Sequence, residues 1–246
     1  MVRPELVVIV LAAGKGVRMK SDLPKVFHAV LGRPMLTYVL ETVKKLSPFK
    51  IFVVVGHQRQ LIIAHYKDWP ITFVVQEEQM GTGHAVMQVK PYLNGFSGTA
   101  LVLNGDVPLI SEKAVRRLMD FHVKNKAAAT DLTAELPDAG GYGRIVRGEN
   151  GEITKIVEKK DASPAELKIK EINTGTFCFD KEALFSALSK IRADNAQKEY
   201  YLTDTVEILK KEGFPVLAFR ADDAAETLGV NTREELAAIE QILRSR

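Results

Sequence analysis

The chain has 246 residues, 46% of them hydrophobic and 26% charged, with 34 Lys and Arg against 31 Asp and Glu and a formal net charge of +3. Disorder needs low hydrophobicity and a large net charge, and neither is present; the scattered, mild charge does not make a nucleic-acid surface, and the longest apolar stretch near the N-terminus, residues 6–13, is far short of the ~20 that span a bilayer. A single cysteine, Cys178, excludes an internal disulfide and a four-cysteine zinc site, fits a reducing compartment and, with no cleavage site after the first apolar run, predicts a cytoplasmic protein.

The first half alternates two patterns. Residues 6–13 (LVVIVLAA) form a continuous apolar run rich in β-branched residues, the mark of a strand buried on both faces. Apolar residues at 35, 36, 39, 40, 43 and 46 recur at helical spacing and predict a helix over 34–46. Residues 50–55 (KIFVVV) read as strand, 58–67 as a short helix, 71–76 (ITFVVQ) as strand, 82–92 as helix and 99–104 (TALVLN) as strand. Ser111, with Ala114 three positions on, is a candidate cap for a helix running to about Asn125. In the second half 128–135, 144–147 and 152–158 read as short strands, the last two joined by a turn at Glu149-Asn150-Gly151. A strand at 171–179, helices at 181–191 and 203–212, and a strand at 214–219 follow. The helix predicted at 232–243 carries Thr232 and Glu235 at capping-box spacing. Strand–helix alternation with short connections predicts an α/β fold: a Rossmann-like, mostly parallel mixed sheet flanked by helices, in one domain. There is no internal repeat, and no hexapeptide repeat of the left-handed β-helix kind.

In an open parallel sheet, ligands collect beyond the C-terminal ends of the strands, and the informative loops fall there. The first runs Leu11-Ala12-Ala13-Gly14-Lys15-Gly16-Val17-Arg18-Met19 and leads to Leu23-Pro24-Lys25. Small residues let the backbone approach a ligand closely, and consecutive amides in such a loop bind phosphate oxygens. Arg18 and Lys25 add the positive charge that phosphoryl transfer needs. A dinucleotide fingerprint would want glycine where Met19 stands, and an ATPase phosphate loop would want Gly-Lys-Ser/Thr, which Gly14-Lys15-Gly16 does not supply. Asp106, just past a strand, is either the carboxylate of a Mg²⁺ site completed by phosphate and water or the cap of a turn before Pro108. Taken alone, Gln76 could simply end a strand, Glu158 could belong to a solvated charge cluster with Lys159 and Lys160, Asn173 could be a strand residue and Asn231 a helix-start residue. His28, His57, His65, His84 and His122 lack metal-ligand spacing and read as structural, and Cys178 as a core residue.

The segment LAAGKGVRMKSDLPKVFHAVLGRPML at 11–36 resembles the signature of the sugar-1-phosphate nucleotidyltransferases. It is most similar to the uridylyltransferase half of the bifunctional N-acetylglucosamine-1-phosphate uridyltransferase/glucosamine-1-phosphate acetyltransferases. QEEQMGTGHAV at 76–86, LNGDVPLI at 103–110, GGYGRIVR at 140–147, IVEKKDA at 156–162, EINTGTF at 171–177, DNAQKEYYLTD at 194–204 and GVNTREEL at 229–236 agree in order, so the resemblance covers nearly the whole chain. It implies a nucleotide-diphospho-sugar transferase fold, with a nucleotide-binding half (1–125), a sugar-binding half (126–230) and a C-terminal helix (231–246). The reaction implied is Mg²⁺-dependent transfer of UMP from UTP to N-acetylglucosamine 1-phosphate, giving UDP-N-acetylglucosamine and pyrophosphate. Arg18 and Lys25 would be catalytic, and Leu11, Ala12, Ala13, Gly14, Gln76, Gly81 and Thr82 would hold the nucleotide. Gly105, Gly143, Glu158 and Asn173 would hold the sugar, and Asp106 with Asn231 the metal. A Gln amide carries a donor and an acceptor side by side and can pair with O4 and N3–H of uracil. Two departures stand out: the family usually has Tyr where this chain has Asn104, and often Gly where it has Lys198. A relative acting on another base or sugar, and a non-catalytic nucleotide-sugar sensor, are the rival readings. Without β-helix repeats, no acetyl-CoA-dependent activity is expected of these residues.

Overall fold

The computed structural model describes residues 5–245. Strand β1 (Glu5–Ala12) leads through the glycine-rich loop to two single-turn 3₁₀ helices, Val17–Met19 and Lys25–Phe27, and to a small hairpin of β2 (Ala29–Val30) and β3 (Arg33–Pro34). Then follow α1 (Met35–Lys45), β4 (Lys50–Val55), α2 (Arg59–His65), β5 (Thr72–Val75), α3 (Thr82–Met87), β6 (Gly98–Asn104) and α4 (Glu112–Lys124). The second half contains β7 (Ala129–Glu135), β8 (Arg144–Arg147), β9 (Ile153–Val157), β10 (Glu171–Asp180), α5 (Lys181–Leu188), α6 (Asp204–Lys211), β11 (Val216–Arg220) and α7 (Arg233–Ser245).

The main sheet runs β11-β7-β10-β6-β1-β4-β5, with β8 beside β10 and β9 beside β8. β6, β1, β4 and β5 are parallel, whereas β10 enters antiparallel between β6 and β7. This is the mostly parallel mixed sheet expected. β1 is buried on both faces, which is why it reads as an unbroken apolar run. Val7 and Ile9 pack with Phe52, Val54, Val86, Phe177 and Leu184 on one side. Val8, Val10 and Ala12 pack with Leu36, Leu40, Val43, Ile62 and Leu118 on the other. Each such side chain contributes about 1.5–3 kcal/mol by burial.

Several boundaries differ from the sequence reading for identifiable reasons. The helix expected over 82–92 stops at Met87, and a separate 3₁₀ turn spans Lys90–Leu93. Pro91 has no amide hydrogen to continue the ladder, and the preceding turn tightens, with Val89 N donating to Val86 O at 3.0 Å. The strand expected from 214 begins at Val216, because Pro215 contributes only its carbonyl, which accepts from Ala128 N at 2.8 Å. Both predicted caps form. Ser111 Oγ accepts from Ala114 N at 3.1 Å. Thr232 Oγ1 accepts from Glu235 N, and Glu235 Oε2 in return accepts from Thr232 N, each at 3.2 Å.

Two features aim the chain at the sheet's C-terminal edge. The β10–β7 register shifts between Asn173 and Phe177, with Gly175 at φ +78°, so this stretch leaves the ladder and faces the end of β6. α7 lays Leu236, Ile239, Ile242 and Leu243 against Met19, Val30, Met35 and Leu109, and so braces the glycine-rich loop. Among the described residues no helix is long and apolar enough to cross a membrane.

Candidate functional site

The loops beyond the strand ends enclose a cleft of about 630 Å³. Its wall carries Leu11, Ala12, Ala13, Gly14, Arg18, Lys25, Gln76, Gly81, Thr82, Asp106, Gly143, Glu158, Asn173 and Asn231. Gly105 is the exception among the predicted site residues. It lies behind the wall, its amide donating to Leu11 O at 2.9 Å, and a Cβ there would sit 3.1 Å from Val26 and Leu36. Its absent side chain lets the backbone pack against Val26 and Leu36.

The cationic centre is built by three separate pieces of chain. Gly16 adopts φ +61°, and a Cβ on it would stand 2.5 Å from Lys25 Cβ, so only glycine admits Lys25 at this closeness. Lys25 pairs with the Asp106 carboxylate and donates to Asn231 Oδ1 at 2.8 Å. Arg18 Nη2 donates to the same Asn231 oxygen at 2.8 Å. Val230 N donates to Asp106 O at 2.9 Å, which fixes Asn231 beside Asp106. The Asp106 and Asn231 oxygens thus already converge on a cation, the lysine ammonium. Among the described residues there is no cluster of three or more His, Cys, Asp or Glu able to hold a metal. Two protein oxygens, with phosphate and water to complete the shell, match how Mg²⁺ is ordinarily held.

Gln76 follows β5 directly and is only 3% exposed. Its Nε2 donates to Gly81 O at 3.1 Å and meets His84 Nδ1 at 3.0 Å. Thr82 Oγ1 accepts from Leu202 N at 3.0 Å, tying the start of α3 to the second half of the chain. On the far side of the cleft Glu158 accepts from Thr203 Oγ1 at 3.1 Å. Burial, chiefly, and the nearby carboxylates of Asp161 and Glu199 raise its carboxyl above the usual range. It is therefore not the solvated residue its lysine neighbours imply; Lys159 and Lys160 are exposed while Glu158 turns inward. Asn173 Oδ1 accepts from Gly175 N at 2.8 Å, which commits the oxygen end of its carboxamide to the turn at Gly175. A Cβ on Gly143 would meet Ile156 at 3.1 Å and the Glu158 oxygens at 3.5 Å, so the backbone here approaches closely.

Residues that sequence reasoning missed support this frame. Arg233, the first residue of α7, donates to Met19 O and Lys20 O, each at 3.2 Å, on the turn that bears Arg18. Tyr142 OH accepts from Gly229 N at 2.8 Å. Of the five histidines, His122 is structural as expected: it is buried against Thr130 Oγ1 at 2.9 Å, and burial pushes it down to about 4. His84 meets Gln76 Nε2 through its Nδ1 at 3.0 Å. Cys178 is buried, and burial alone pushes its thiol up, as suits a core residue.

The family model described as Nucleotidyl transferase matches residues 7–226. The chain belongs to the nucleotidyl transferase family. The bifunctional protein GlmU of Streptococcus thermophilus is 50% identical over 238 residues, and that of Enterococcus faecalis 49% identical over 238 residues. Each alignment covers 97% of this nucleotidyl transferase and 52% of the relative, so the chain spans about half the length of the curated relatives it matches. Among solved structures, a UDP-glucose pyrophosphorylase complexed with UDP-glucose superposes with a TM-score of 0.77 at 17% identity, covering 98% of this chain and 99% of the other. HddC from Yersinia pseudotuberculosis, complexed with GMP-PN, superposes with a TM-score of 0.70 at 20% identity over 96% and 99%. These two share the nucleotidyl transferase fold described above.

Proposed function

We propose that the chain transfers UMP from UTP to N-acetylglucosamine 1-phosphate, releasing pyrophosphate and giving UDP-N-acetylglucosamine. The observation that carries this reading is the convergence of Arg18, Lys25, Asp106 and Asn231 in one cleft with a buried amide, Gln76, a half-buried carboxyl, Glu158, and a buried carboxamide, Asn173. The similarity to GlmU proteins supports the choice of base and sugar. On this reading residues 1–125 take the nucleotide, 126–230 the sugar phosphate, and the segment from 231 closes the cationic centre. A cytoplasmic setting fits the lone buried thiol.

The acceptor is already an anionic phosphate, so no general base is needed. The work is to align two polyanions and to offset charge at the α-phosphorus. The amides of Ala12 to Gly14 and the guanidinium of Arg18 receive the triphosphate. Lys25 exchanges Asp106 and Asn231 for phosphate oxygens and stabilises the leaving pyrophosphate. Asp106 and Asn231, released from the ammonium, are the two oxygens that would hold Mg²⁺. When bound, the ion supplies charge neutralisation between the two phosphates. Glu158 and the Asn173 amide offer directional hydrogen bonds to sugar hydroxyls and an N-acetyl group.

The test is a pyrophosphate-release screen of UTP, CTP, ATP, GTP and dTTP against the 1-phosphates of N-acetylglucosamine, glucose and N-acetylgalactosamine, with and without Mg²⁺. Turnover is expected with UTP, N-acetylglucosamine 1-phosphate and Mg²⁺ together. A higher kcat/KM with a different base or sugar would replace this assignment. Nucleotide-sugar binding without turnover in any combination would make the chain a sensor.

A further inference from the structure

The Gln76 amide is more constrained than its residue type implies. Gly81 O can only accept, so the nitrogen end of the carboxamide must face it, at 3.1 Å. The same nitrogen lies 3.0 Å from His84 Nδ1. If Nδ1 accepts, both Nε2 hydrogens are committed inside the protein, and Oε1 is all that Gln76 offers the cleft.

The tautomer of His84 decides this, and a competition decides the tautomer. Gln88 Nε2 lies 3.1 Å from the other ring nitrogen, His84 Nε2, and also donates to His84 O at 3.1 Å. A neutral imidazole has one lone pair to give and one N–H. Gln76 is 3% exposed, and turning its amide would set Oε1 against Gly81 O. Gln88 is only half-buried and can turn its amide away from the ring, since water is at hand to take its hydrogens and to accept from His84 Nε2–H. The lone pair therefore goes to Gln76 and the proton sits on Nε2. The Tyr200 ring, centred 6.3 Å away, packs beside the imidazole on the side of the second half.

We propose that His84 is a positioning residue for base selection. It locks the Gln76 carboxamide oxygen-outward, so that the cleft recognises a pyrimidine by its imino N3–H rather than by a donor–acceptor pair. This rests on the assignment of Gln76 to the base. Uracil presents N3–H; cytosine presents a bare N3 lone pair at the same ring position, which Oε1 repels. To serve cytosine the amide would have to reverse, setting Oε1 against Gly81 O and the His84 lone pair. His84 itself does not line the cleft, so it acts through Gln76.

The experiment measures UTP and CTP binding by calorimetry, and kcat and KM for each, in wild type, His84→Phe and His84→Asn. Wild type should favour UTP over CTP by about 100-fold or more, as a site built on a buried hydrogen bond does. His84→Phe keeps the ring packing, removes the acceptor and frees one Nε2 hydrogen. The preference should then fall to about tenfold or less, in KM and binding rather than in kcat. His84→Asn places a carboxamide oxygen where Nδ1 stood and should restore most of it. An unchanged ratio in a folded His84→Phe protein overturns the proposal, and so does an equal loss in His84→Asn. Should His84→Phe not fold, nitrogen NMR of the wild type decides: an unprotonated Nδ1 upholds the proposal and a protonated one defeats it. If wild type binds no nucleotide at all, the functional assignment fails first, and the two failures are distinct.

Discussion

Replacing Lys25 by alanine should tighten metal binding while lowering both stability and turnover. In the free protein the Lys25 ammonium neutralises Asp106 and donates to Asn231 at 2.8 Å, with 19% of the lysine and 11% of the aspartate side chain exposed. A partly buried, hydrogen-bonded pair open to water at the cleft mouth is worth about 1–3 kcal/mol. Without its counterion Asp106 destabilises the free protein, and Tm drops by about 2–4 °C for each kcal/mol at this chain length. The same energy no longer opposes a divalent cation seeking Asp106 and Asn231. Mn²⁺ or Mg²⁺ should therefore bind the substrate-free variant about 5- to 150-fold more tightly, from the tenfold-per-1.4-kcal/mol relation. Turnover goes the other way, because loss of an oriented cation at the phosphorus costs about 10²–10³ in kcat. Calorimetry with Mn²⁺, melting curves with and without Mg²⁺, and pyrophosphate release read the three effects. Weaker metal binding in the variant would show that the ammonium does not occupy the ion's ligands. Near-normal turnover would remove Lys25 from the chemistry.

Three further outcomes are expected. Arg233→Ala removes two bonds to the turn that bears Arg18 and should lower kcat about tenfold through lost alignment; steady-state kinetics that match wild type would contradict this. Burial holds His122 at about 4 in place of 6.5. As pH falls below about 6.5 the unfolded chain takes up that proton first, so about 3 kcal/mol of stability is lost by pH 4. His122→Gln should flatten this acid limb in urea melts; parallel limbs in both proteins would exclude His122 as its source. Asp131 is fully buried with neither carboxyl oxygen partnered, and burial, then Glu171 and Glu158, raise it well above the usual range. The unfolded chain sheds this proton at lower pH than the folded one, so Asp131 costs stability as pH rises. Asp131→Asn should raise Tm at pH 7–8 with the gain fading toward pH 4; a constant gain across that range would point to packing instead.

What could be read from the sequence follows from what local pattern encodes. β1, β4 and β6 were plain because burial on both faces leaves continuous apolar runs. Both caps were plain because their partners lie three residues away. The insertion of β10 between β6 and β7 was not, since strand pairing is settled by packing across the sheet rather than by spacing. The glycine-rich loop and Asp106 were visible because their residue types fit one chemistry at a strand end. Asn231 rested on resemblance alone, for nothing local ties it to Arg18, 213 positions away. Glu158 was masked by its lysine neighbours, and the close packing around Gly105 depends on Val26 and Leu36, far away in sequence. His84 escaped because spacing rules look for metal ligands, and a residue acting on another side chain leaves no such trace.

The bracing of the glycine-rich loop by Asn231 and Arg233 bears on how the protein matures during synthesis. A domain generally folds as a unit during synthesis. Until residue 231 has been made, Arg18 and Lys25 lack their shared anchor. The piece that ties the cationic centre together is thus among the last of the fold to be synthesised.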